Sequence, residues 1–102
     1  MSEAREQVLH VELWLRVENN NKFVRGKTKV RQHIEELVLR PLGMQKSDPK
    51  GWEYTLTIPY RSEAELEERI TDLLQKADAI ADRHFCFIEA DVRALDGSDR
   101  SW

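Results

Sequence analysis

The stretch "HVELWLRV", His10 to Val17, reads as a strand whose two faces differ in chemistry. Leu9, Val11, Leu13, Leu15 and Val17 fall on one side, while His10, Glu12, Trp14 and Arg16 fall on the other. That two-residue period is the signature of a sheet strand with one face in a core. The strand spans roughly Gln7 to Glu18 and must end in "ENNNKFVRGK", where turn-forming asparagines and Gly26 interrupt it.

A helix follows. Asn20 or Asn21 is placed to cap an early start that includes Phe23, and Thr28 a later one after Gly26; either side chain would meet amides left free at the helix end. Val30, Ile34, Leu37 and Val38 supply its inward stripe, and Pro41 with Gly43 ends it. Leu42 to Lys46 reads as a weak second strand, because "SDPKG", Ser47 to Gly51, is a tight-turn composition directly before "WEYTLTIP". In that third strand Trp52, Tyr54, Leu56 and Ile58 are expected to face the helices and Glu53, Thr55 and Thr57 to face away, with Pro59 closing it. Ser62 and Glu65 have capping-box spacing ahead of a second helix, striped by Leu66, Ile70, Leu73, Leu74, Ala77, Ile80 and Ala81. The last strand alternates Cys86, Ile88, Ala90 and Val92 with Phe85, Phe87, Glu89 and Asp91.

The order strand, helix, strand, strand, helix, strand resembles a ferredoxin-like βαββαβ sandwich, an α+β fold with a four-stranded antiparallel sheet and two helices on one face. Right-handed crossovers place the first and third strands in the middle, next to one another and expected to be parallel, with the fourth strand beside the first and the second outside the third. The resemblance covers the element order alone, and a fold carries no function with it. An iron-sulfur cluster is excluded because clusters need several thiolates and Cys86 stands alone. In its apolar run, Cys86 reads as a buried inert thiol.

The 102 residues suit one small α/β domain, with a flexible or back-packed tail over about 94–102. With 40% hydrophobic and 34% charged residues, neither disorder nor a fibrous repeat is favoured. "MSEAREQ" lacks the apolar stretch of a secretory signal, and no run approaches the ~20 apolar residues of a membrane span. The expectation is a cytoplasmic protein without a membrane partner. A net charge of -3 argues against wrapping nucleic acid by overall charge.

Two surfaces carry functional readings. The uncovered sheet face gathers His10, Glu12, Trp14, Arg16, Thr55, Thr57, Phe85, Phe87, Glu89 and Asp91. Three large aromatics on a wet face point to a non-enzymatic interaction module that self-associates or binds a protein there, a homo-oligomer or a heterologous complex. RNA recognition motifs share the element order and stack bases on sheet aromatics, but here Glu53, Glu12, Glu89 and Asp91 would repel a phosphate backbone. The second surface is the loop and helix start bearing Asn21, Lys22, Arg25, Gly26, Lys27, Lys29 and Arg31, with no acid from Asn19 to Ile34. It is the alternative, an anion or nucleic-acid site, although it matches no Walker or dinucleotide fingerprint. A third reading, a metal-assisted enzyme using His10, Glu12 and Glu89 or Asp91, has the side chains without a convincing arrangement; no catalytic residue, metal or cofactor is predicted. His33 and His84 read as surface or strand-end residues.

Overall fold

The computed structural model describes residues 5–22, 25–46 and 52–102. Its elements are β1 (Gln7–Asn19), α1 (Lys27–Ile34), β2 (Gln45–Lys46), β3 (Glu53–Tyr60), α2 (Glu63–Arg83) and β4 (Cys86–Ala94), with a π-helical turn (Glu35–Leu39) and a 3-10 turn (Arg40–Leu42) after α1. The sheet order is β2-β3-β1-β4 and both helices cover one face, the ferredoxin-like arrangement. Leu9, Val11, Leu13, Leu15 and Val17 are buried, as the alternation in β1 predicts.

The central strands are antiparallel, not parallel: β1 meets β3 with Leu9 opposite Ile58 and Leu13 opposite Tyr54. The crossover rule governs strands joined through a helix, and each of those pairs has another strand inserted between its members. Every neighbouring pair is therefore antiparallel.

The first helix departs from its predicted pattern. It starts at Lys27 with Gly26 as the N-cap residue at φ 125°, so neither Asn20, Asn21 nor Thr28 supplies a side-chain cap. Phe23 and the Ser47–Gly51 turn lie outside the described residues. The π turn then adds a residue to the helical circuit. Leu37, which α-helical spacing assigns to the core, is consequently 66% exposed, and Leu39 is fully buried in its stead. The turn also buries Glu35, whose carboxylate meets Lys46 Nζ at 2.7 Å and ties the two-residue β2 to the helix layer. Arg31 Nε donates to the hydroxyl of fully buried Tyr54 at 2.7 Å.

Gly43 ends this segment at φ 69°, a left-handed conformation in which an L side chain is strained. A Cβ there would come no closer than 3.8 Å to Thr57, an ordinary contact. Gly43→Ala should therefore cost about 1 kcal/mol from backbone conformation alone, read as a lower urea midpoint at constant slope. A neutral result would show that the turn relaxes.

Pro59 does not close β3, which continues to Tyr60. β2 reaches only Tyr54 and Thr55, leaving the Pro59 stretch open on one flank, the setting in which a strand proline is tolerated. In α2 the Ser62 hydroxyl accepts from Glu65 N at 3.2 Å, and Leu66, Ile70, Leu73, Ala77 and Ala81 are buried. The chain after β4 turns back along that strand's outer edge. Val92 and Trp102 exchange backbone hydrogen bonds of 3.2 and 2.8 Å, and Ala94 N donates to Arg100 O at 2.9 Å. Trp102 packs against the core, so the opposite sheet face stays uncovered by this segment.

Candidate functional site

The open face is built by the outward residues of three strands. Cross-strand rows set its map: Glu53, Trp14 and Asp91 lie side by side, Arg16 is opposite Glu89, Glu12 lies between Thr55 and Arg93, and His10 is opposite Thr57. Glu18, opposite Phe87, ends the face on one side. Near the centre the rings of Trp14 and Trp52 meet edge to face with centroids 6.3 Å apart, and the Arg16 guanidinium lies 5.4 Å from the Trp52 centroid. Edge-to-face aromatic pairs and cation-π contacts hold such rings in one orientation.

Two predicted positions change. Trp52, assigned inward by alternation, precedes β3 and turns to Trp14 and Arg16; its carbonyl accepts from Leu15 N at 2.8 Å, but the paired strand begins only at Glu53, so strand parity does not fix its side chain. Phe85 is not on β4 or on the open face. It occupies a turn at φ 57° and lines a cleft with Arg25, Lys29 and His33 of the α1 region. His10, Glu12, Trp14, Arg16, Thr55, Thr57, Phe87, Glu89 and Asp91 are outward on the three strands. Arg93 and Glu18 join them. Arg93 shares the parity of Asp91, a signal that extending the last strand by two residues would have caught.

Charges on the face are partly matched. Arg93 Nη2 bonds Glu12 Oε1 at 2.9 Å, Arg16 Nε bonds Glu18 Oε1 at 2.9 Å, and Lys27 Nζ reaches Glu18 Oε2 at 3.5 Å. The Arg16 hydrogen bond, helped by Lys27, holds the Glu18 carboxyl below its ordinary range. Thr57 Oγ1 and His10 Nδ1 are 3.2 Å apart. Glu53, Glu89 and Asp91 have no partner among the described residues.

The basic segment divides. Lys27 turns to Glu18 and Arg31 to Tyr54, whereas Arg25, Gly26 and Lys29 line the cleft that contains Phe85. Asn21 and Lys22 are exposed and lie outside that cleft's lining. Cys86 is buried, with Sγ 3.6 Å from Asn19 Oδ1 and 3.5 Å from the His84 carbonyl, and burial pushes its thiol above the ordinary value. A thiol kept protonated in this way is a poor nucleophile.

Among the described residues, no group of three or more His, Cys, Asp or Glu side chains is arranged to hold a metal ion. No described helix is long and apolar enough to cross a membrane. No family model, curated protein or solved structure matches the chain.

Proposed function

We propose that this protein is a non-enzymatic interaction module that pairs with a second copy of itself through the open sheet face. The observation that supports this reading is the self-complementarity of the face about its Glu53, Trp14 and Asp91 row. A two-fold axis along that row reverses strand direction between two stacked sheets. On β1, Arg16 then lies over the partner's Glu12 and Glu18 over the partner's His10. On β4, Arg93 lies over the partner's Glu89. Phe87 and Leu95, 40% and 45% exposed, also exchange places across the axis. Trp14 meets its own copy at the centre. An isologous interface requires this kind of self-matching patch.

Size sets the strength. The matched area is roughly 30 Å along the strands and roughly 15 Å across three of them, about 450 Å² per protomer. Twice that falls near the ~1,000 Å² floor for specific interfaces, so the expected dimer is weak, in the micromolar range.

Like charges on the axis supply a sharp test. Asp91 faces the partner's Asp91, and removing a pair of unit charges a few ångströms apart is worth about 1 kcal/mol in high dielectric. Asp91→Asn should tighten the dimer about fivefold to tenfold in a sedimentation or light-scattering concentration series. Weaker pairing in that variant, or a wild-type chain monomeric at high micromolar concentration, would remove the proposal and leave a basic heterologous partner as the better occupant.

A further inference from the structure

A second site lies on the other side of the molecule, between the start of α1 and the end of α2. It is a cleft of about 380 Å³ with Arg25, Lys29 and His33 on one wall and Arg83, His84 and Phe85 on the other. Among the described residues no carboxylate lines it, and none of Arg25, Lys29 or Arg83 has an ion-pair partner there. The His33 and His84 rings meet edge to face with centroids 5.8 Å apart. Three cationic side chains lining one recess make it attractive to an anion. The amides at the uncapped start of α1 add to that field.

Phe85 points to what the anion carries. It follows the helix cap His84 in a left-handed conformation, φ 57°, at the position where glycine ordinarily ends a helix. Its backbone is fixed by two hydrogen bonds, Phe85 N to Asp82 O at 3.2 Å and Asn20 N to Phe85 O at 2.9 Å. The ring nevertheless gains little from the fold, being 66% exposed. Packing does not account for a strained backbone that carries an exposed ring in the lining of a cationic cleft. A stacking platform for a planar ring attached to a phosphate does.

We infer that this cleft binds a nucleoside phosphate, its phosphate held by Arg25, Lys29 and Arg83 and its base stacked on Phe85. His33 and His84 supply polar contacts between the two ends. The volume falls at the low end of the ~300–1,000 Å³ range of small-ligand sites and suits one nucleotide. That unit can be a free nucleotide or one residue of a single-stranded nucleic acid. The site is separate from the sheet face, so it stands or falls independently of self-pairing.

Calorimetry at low salt with ADP, adenosine, inorganic phosphate and a short single-stranded oligonucleotide tests it. ADP should bind at least about tenfold more tightly than phosphate or adenosine alone, because only ADP engages both ends. Arg25→Ala and Arg83→Ala should each weaken ADP about tenfold. Phe85→Gly should reduce ADP to the affinity of phosphate while raising the melting temperature by a few degrees, since glycine relieves the left-handed strain. That rise excludes unfolding as the cause of lost binding. An oligonucleotide that binds at least about tenfold more tightly than ADP, with the same dependence on Phe85, identifies nucleic acid as the source; otherwise the source is a free nucleotide. Absence of binding by ADP and oligonucleotide alike, equal affinities for ADP and phosphate, or binding unchanged in Phe85→Gly would overturn the inference.

Discussion

A Trp14→Glu chain should remain folded and sediment as a monomer at concentrations where the wild-type protein pairs. Trp14 sits on the proposed axis, so one substitution alters the interface twice. Each large aromatic removes ~150–250 Å² from water when fully buried, and central aromatic anchors cost about 2 kcal/mol or more when truncated. Two copies correspond to at least about 4 kcal/mol, a roughly thousandfold rise in the dissociation constant. The carboxylate would also stand between Glu53 and Asp91 in its own sheet and opposite its copy across the axis.

Within one protomer the cost is smaller. Trp14 is only partly buried, and a solvated like-charge row costs about 1 kcal/mol, readable separately in urea. Leu37→Glu is the matched control, because Leu37 is exposed on the helix side of the molecule. It should leave pairing unchanged. If Trp14→Glu pairs as the wild type does, or if Leu37→Glu disrupts pairing equally, the sheet face is not the interface.

How far such surfaces can be read from sequence depends on where the periodic elements stop. β1 and α2 were legible because long alternating or striped runs leave one arrangement that buries their apolar residues, and Ser62 with Glu65 marks a helix start by chemistry local to four residues. The faces of Trp52 and Phe85 were not legible. Each lies just beyond a strand, where the two-residue period no longer dictates direction. Leu37 failed for a different reason: one π turn shifts every following side chain, and no residue type announces it. The candidate cleft was half visible. Arg25, Gly26 and Lys29 belong to a conspicuous run without acids, but Arg83, His84 and Phe85 are some fifty residues away and meet them only through the packing of α2 beside α1.

Removing residues 96–102 should destabilise the protein by roughly 3 kcal/mol and make it prone to aggregation while leaving sheet-face pairing in the soluble fraction. The deletion takes away the backbone bonds that Val92 and Ala94 make to the returning segment, each worth about 1 kcal/mol net, together with the packing of Trp102 on the core. It also exposes the outer flank of β4, a row of unpaired donors and acceptors able to template pairing with another chain. The segment is held in place by Arg100, whose guanidinium bonds Glu63 at 2.7 Å and Asp96 at 3.1 Å. Asp96 also accepts from Ser98 N at 2.9 Å. Hydrogen bonding by the Ser98 side chain, then by its backbone N–H and by Arg100, lowers the Asp96 carboxyl to about 2 from 3.8. A carboxyl lowered by folding contributes stability above its unfolded value, and that contribution is lost as pH falls through the folded value. Between pH 5 and pH 2 the wild-type chain should therefore lose more stability than Asp96→Asn, whose side chain does not titrate. Parallel urea midpoints across that window measure the difference. Identical losses in the two proteins would mean that Asp96 does not hold the segment, and a truncated chain as stable as the full one would mean that the segment does not hold β4.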